Sequence, residues 1–125
     1  MQDANPPEIR DGTLAVHISR QDSVCTLSLS GELDLANTET LADQLEKAER
    51  SGAGVIVLDM TELEFIDSTG IALLVSTHHR LNNDAECFRL VGSEGKAVRR
   101  VMALTGLDAG LPFVSPNGGG SPEPI

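Results

Sequence analysis

The sequence predicts an α/β domain built on a mixed β-sheet, in the order β-β-α-β-α-β-α-β, with the helices packed on the sheet. Three observations carry this. Residues Cys25 to Leu35 alternate between apolar and small or polar side chains, the period of a half-buried strand. Val55-Ile56-Val57-Leu58 is an uninterrupted apolar run, which reads as a central strand buried on both faces. Between and beyond these runs, apolar residues return at helical spacing, as at Leu41, Leu45 and Ala48.

In chain order, Met1 to Asp11 is polar and Pro-containing, which predicts a flexible lead-in. Leu14, Val16 and Ile18 then alternate with Ala15, His17 and Ser19, a strand with His17 facing out. After the polar turn Arg20 to Ser23, a second strand places Cys25, Leu27, Leu29, Gly31, Leu33 and Leu35 on one face. Thr26, Ser28, Ser30, Glu32 and Asp34 occupy the other. The two strands are predicted to form an antiparallel hairpin. The first helix begins at Asn37 or Thr38, with Glu39 in its first turn, Lys47 and Arg50 in its last, and Gly52 beyond it.

The Val55 to Leu58 strand ends at Asp59, and a second helix starts at Asp67 or Ser68. Its inner stripe is Ile71, Leu74, Val75, His78 and Leu81, and it stops at Asn82-Asn83-Asp84. Cys87 to Val91 is the next strand. Ala97 to Thr105 is a third helix stopped by Gly106, with Leu107 placed for the accompanying apolar contact. Leu111 to Val114 is a short last strand. Ser115 to Ile125, rich in Gly and Pro, cannot build a core and is predicted to be a disordered tail. The domain therefore spans residues 12–114, between a lead-in at 1–11 and a tail at 115–125. If the strands follow chain order, right-handed crossovers put every helix on one sheet face; the sequence leaves that order open.

The 125 residues suit one core, and no apolar stretch approaches the roughly 20 residues of a membrane-spanning helix. The Met1 to Pro7 start has neither a basic region nor an apolar run, so no secretory signal is read and a cytoplasmic location is expected. A net charge of -10 with nine Lys and Arg argues against tracking a phosphate backbone or an anionic membrane. Without Trp or Tyr there is little to stack bases on. Cys25 and Cys87, far apart and without paired ligands nearby, read as buried thiols rather than a zinc site.

Chemistry in such sheets gathers where strands end and helices begin. Asp59 to Gly70 lies there: Asp59 closing the strand, Asp67 as helix cap, Ser68 and Thr69 presenting hydroxyls, and Gly70 leaving room for a close neighbour. Enzyme readings of this segment lack parts. The Gly-x-Ser-x-Gly elbow is missing, because Ile66 stands at the first Gly, and no His is placed to serve Ser68. A magnesium phosphoacceptor built on Asp59 and Asp67 needs an acidic cluster on the first strand and a lysine near the site, and the first strand has no carboxylate. No phosphate-cradling Gly-rich loop joins a strand to a helix. The segment reads as non-enzymatic, with a helix cap as its plain structural role.

The run Asp59-Met60-Thr61-Glu62-Leu63-Glu64-Phe65-Ile66-Asp67-Ser68-Thr69-Gly70-Ile71-Ala72 resembles the signature of bacterial anti-sigma-factor antagonists, single-domain members of the STAS family. Gly31-Glu32-Leu33-Asp34 is similar to that family's upstream motif. Ala97 to Val101 and Thr105-Gly106-Leu107 are similar to its last helix and exit. The resemblance covers Thr13 to Val114 and implies a STAS-like fold with Ser68 as phosphoacceptor. The surface expected to meet the partner comprises Asp34, Asp59, Asp67, Ser68, Thr69 and Gly70. The implied partners are an anti-sigma factor that is also a serine kinase, and a serine phosphatase. The unphosphorylated chain would bind the former and free the sigma factor, and phosphorylation would release it. ATP and magnesium would belong to the kinase, with no cofactor here. The alternative within the family is an adaptor subunit of a stress-signalling or lipid-transport complex. Gly92-Ser93 replaces a Pro found in many relatives after the fourth strand, so a different loop is expected there.

Overall fold

The computed structural model describes residues 8–81 and 88–114. Its elements are β1 (Glu8–Asp11), β2 (Leu14–Gln21), β3 (Val24–Leu33), α1 (Thr38–Arg50), β4 (Val55–Ile66), α2 (Ser68–Leu81), β5 (Phe88–Val91), α3 (Lys96–Thr105), α4 (Leu107–Gly110) and β6 (Phe113–Val114). The expected tail, Met1 to Pro7 of the lead-in, the helix stop at Asn82 to Asp84, and Cys87 lie outside the described residues.

Six strands lie in chain order, β1-β2-β3-β4-β5-β6. The first three form an antiparallel meander; β3, β4, β5 and β6 run parallel. Sequential parallel strands with right-handed crossovers bring α1, α2 and α3 to the same face. The burial pattern of β3 reflects that layering. Cys25, Leu27, Leu29 and Leu33 are buried, while Thr26, Ser28 and Ser30 on the helix-free face are partly exposed. Leu41, Leu45 and Ala48 of α1 seal against them. Each fully buried Leu of this kind costs about 2 to 5 kcal/mol to truncate to Ala.

Several expectations are corrected. Glu8–Asp11 is not lead-in but an edge strand, and Thr40 Oγ1 donates to Asp11 Oδ2 at 2.6 Å, tying that edge to α1. The Val55 to Leu58 run is not buried on both faces: Ile56 and Leu58 are, while Val55 and Val57 face the helix-free side and are half-buried. The strand does not end at Asp59. It runs on to Ile66, pairing with β3 beyond the point where β5 has stopped. Two register shifts, between Ser28/Ser30 and between Gly31/Glu32, bend this overhang. At the second, Gly31 has φ +91, and a Cβ there would sit 1.8 Å from the carbonyl oxygen of Thr13, so only glycine fits. Finally, β3 ends at Leu33, and Leu35 is 74% exposed rather than inward.

Gly106 closes α3 in the left-handed conformation, φ 76, as its position predicts, and Leu107 packs on the core. The buried line of α2 is Gly70, Leu74 and Thr77, flanked by partly buried Ile71, Val75 and Leu81; His78 is only half-buried. Among the described residues no helix is long and apolar enough to cross a membrane.

Candidate functional site

The overhang of β4 delivers the chain to the start of α2. Asp67 N donates to Leu33 O at 3.1 Å, a last rung beside β3, and the backbone then turns into the helix. The Asp67 carboxylate organises the first turn of that helix. Its Oδ1 accepts from Thr69 N (3.0 Å), Thr69 Oγ1 (2.6 Å) and Gly70 N (3.1 Å); its Oδ2 accepts from Leu35 N at 3.1 Å. One side chain thus caps α2 and binds the β3–α1 loop to it. The Thr69 hydroxyl, with the N–H groups of Gly70, Leu35 and Thr69, holds this carboxyl below its ordinary range, against a smaller opposing effect of burial.

The facing loop is fixed from within. Asn37 is buried at the predicted N-cap position of α1, but its side chain points backward. Its Oδ1 accepts from Asp34 N at 2.9 Å and its Nδ2 donates to Glu32 O at 3.0 Å. Asp34 Oδ1 accepts from Ala36 N at 3.1 Å, a local turn. Gly70 lets α2 settle on the sheet: a Cβ there would come within 2.7 Å of Ile66 Cγ1 and 3.0 Å of the Leu33 side chain.

Ser68 stands exposed at the first position of α2, and its hydroxyl makes no hydrogen bond to another described residue. Leu35 at 74% exposure and Phe65 at 41% are large apolar side chains on the segments leading into and facing this point. Periodicity alone hides both: Leu35 falls on an extrapolated inward phase, and Phe65 comes after the point where the strand is expected to end. The exposed side chains of Glu32 and Glu64 add negative charge around them.

The structure brings together Asp34, Asp67, Ser68, Thr69 and Gly70. Asp59 is separate. It lies mid-strand, on the order of 20 Å from Asp67 by the rise of an extended chain. Its Oδ1 accepts from Thr61 N (2.9 Å) and Thr61 Oγ1 (2.5 Å) at the first β4 irregularity, so Asp59 serves that bulge and forms no carboxylate pair with Asp67. His78 and His79 stand at the far end of α2, about 15 Å away by helical rise, and His17 is on β2 beside Glu8. Among the described residues no group of three potential ligands is arranged to hold a metal.

The Gly92-Ser93 loop also has a defined place. Ser93 Oγ donates to Leu63 O at 2.6 Å and accepts from Gly95 N at 2.8 Å, and Glu94 N donates to Thr61 O at 3.1 Å. The loop therefore hooks onto the outer half of β4, where β5 no longer reaches.

Comparison with known proteins gives a consistent result. The family model described as "Mlab, STAS domain" matches residues 16–115. The anti-sigma-F factor antagonist RsfB of Mycobacterium tuberculosis is 27% identical over 96 residues, covering 77% of each chain. The anti-sigma-B factor antagonist of Staphylococcus aureus is 30% identical over 95 residues, 75% of this chain and 86% of that one. The crystal structure of an anti-sigma factor antagonist from Mycobacterium paratuberculosis superposes with a TM-score of 0.71 at 29% identity, covering 80% of this chain and 84% of that one.

Proposed function

The chain belongs to the STAS domain family, and from that premise we propose that it is an anti-sigma-factor antagonist switched by phosphorylation of Ser68. The observation that carries the reading is an exposed hydroxyl, without a hydrogen bond to another described residue, at a helix start capped by Asp67 and flanked by Leu35 and Phe65. Relatives with similar sequences are named for antagonism of anti-sigma factors. The partner in this reading is an anti-sigma factor with serine-kinase activity; a serine phosphatase restores the binding form. Exposed apolar side chains inside an acidic rim suit a partner surface with an apolar hollow and basic neighbours.

Phosphorylation would act at the interface rather than on the fold. A phosphoserine carries about -1.5 to -2 charge near neutral pH. A bare helix start would welcome it, but the Thr69 and Gly70 N–H groups are already engaged by Asp67. The phosphate therefore gains less from the helix than the sequence alone suggests, and meets a carboxylate that repels it by about 1.5 to 2 kcal/mol in water at close range. A domain with several kcal/mol of stability tolerates that. Desolvating the dianion against a partner costs several kcal/mol, and each 1.4 kcal/mol is about tenfold in affinity, so a loss of about a hundredfold or more is expected.

The test is to phosphorylate the chain with its ATP-binding anti-sigma factor, map the phosphate, and measure melting and partner binding on one sample. The expected result is phosphate on Ser68, lost binding and a retained melting transition. Phosphate on Thr69, or a melting point that collapses together with binding, sinks the mechanism. A Ser68→Ala pull-down separates the family alternatives: an anti-sigma factor supports the antagonist, transporter subunits or a large scaffold support an adaptor.

A further inference from the structure

A second feature lies away from Ser68, where α3 packs against β4 beside Phe113 of β6. A cavity of about 550 Å³ opens there, within the range of about 300 to 1,000 Å³ usual for small-molecule sites. Its accessible apolar side chains are Ala103 and Phe113, set over Met60, Val98 and Met102, which are almost fully buried beneath them. Methionine thioethers adapt to irregular apolar shapes. Its rim is cationic: among the described residues Lys96, Arg99 and Arg100 line it against a single carboxylate, Asp108.

These cations are badly placed for the fold. In a chain of net charge -10 with nine basic side chains, three fall between positions 96 and 100. Spacings of three and four make Lys96 a surface neighbour of both arginines, so like charges repel. They also occupy the first half of α3, where the helix dipole disfavours positive charge, and no acid stands in its first turn. None of the three makes an ion pair with another described residue. Among the described residues the arrangement has no ion-pair partner and costs the helix stability, a cost that a bound anion would offset.

We infer that this cavity binds a small amphipathic anion, a monocarboxylate carrying a linear apolar chain, with its head group at the cationic rim and its chain against Phe113 and Ala103, above the buried methionines. Among the described lining residues Phe113 is a single ring, so no second aromatic face is present to sandwich a nucleobase. The overall negative charge disfavours an anionic membrane surface but not one small anion at a local cationic rim. The site is independent of the Ser68 reading.

The probe is decanoate, kept below its aggregation concentration and titrated into the full chain while methionine methyl resonances are followed by NMR. Saturable shifts at Met60 and Met102, with Met1 unmoved, are expected, with decanol and acetate at least about tenfold weaker. R99Q/R100Q is expected to weaken decanoate by about tenfold or more while melting no lower than the parent, because those charges do not support the fold. Unchanged affinity in that variant, shifts confined to other groups, or acetate binding as well as decanoate each overturn the inference. So does association with phosphatidylglycerol vesicles in the absence of any decanoate shift, which makes the patch a membrane contact instead.

Discussion

Replacing Asp67 tests the architecture around Ser68 directly. Asp67→Ala removes the acceptor for two backbone N–H groups of α2, for the Thr69 hydroxyl and for Leu35 N. Loss of an N-cap typically costs about 0.5 to 2 kcal/mol. The extra stitch to Leu35 argues for the upper half of that range, and the partial exposure of the groups keeps it from going higher. For a domain of this size, about 1 to 2 kcal/mol lowers the melting temperature by roughly 4 to 8 °C. Asp67→Asn keeps an acceptor for the helix but turns an NH₂ group toward Leu35 N–H, and should lose roughly half as much. The pH dependence supplies an independent check. Because the folded carboxyl titrates below its unfolded value of about 3.9, its contribution is present above that value and is lost as pH falls through the folded one. The gap between parent and Asp67→Ala, followed by circular dichroism melts, should be full at neutral pH and shrink below about pH 4. Equal melting temperatures at neutral pH, or a gap that persists unchanged into strong acid, would refute the assignment of Asp67 as the organising cap.

Other positions give further expected outcomes. Gly31→Ala meets a carbonyl oxygen at a left-handed φ and should cost more than about 2 kcal/mol, read as a lowered denaturation midpoint with an unchanged slope; a near-neutral effect would mean the second β4 bulge is pliable. Leu35→Ser and Phe65→Ser, both exposed, should leave melting within about 0.5 kcal/mol while weakening anti-sigma-factor binding by about tenfold or more by titration calorimetry. Unchanged affinity would remove them from the interface. Burial raises the Cys25 thiol above its ordinary value despite the opposing charge of Arg20, so the neutral thiol is favoured in the fold. Its contribution is present below the unfolded pKa and lost as pH rises through the higher folded one. Native Cys25 should therefore label with a thiol reagent far more slowly than in denaturant, and fast native labelling would contradict its packing.

Much of the fold is legible in the residues, for identifiable reasons. The strict alternation around Cys25 to Leu33 fixes a face, and Gly106 has one natural use after an apolar helix. Asp67 and Gly70 can be assigned to a helix start because cap chemistry is local. What escapes depends on distant partners. Glu8–Asp11 is too short and charged to announce itself, and becomes a strand only because β2 offers an edge. The outer half of β4 reads as loop because Thr61, Glu62 and Glu64 interrupt the apolar run; it is held by β3 and by the Ser93 hook. Leu35 continues the alternation on paper but lies past a turn set by Asn37 and Asp67, which no periodicity records.

The chain-ordered sheet has a consequence for how the molecule is made. Each strand is laid beside the one translated just before it, so the structure can grow from one edge as the ribosome delivers it. The antiparallel meander comes first and needs only short turns. Each later parallel strand must wait for its crossover helix, which closes a longer loop and is slower. Until α3 and β6 arrive, Met60, Phe88 and Leu90 lack part of their cover and β5 is an open edge. Released chains truncated before Lys96 should therefore attract chaperones or aggregate, whereas released chains ending after Val114 should resist proteolysis. The last two-residue strand pairs only with β5, and its edge is the one from which hydrogen exchange should begin.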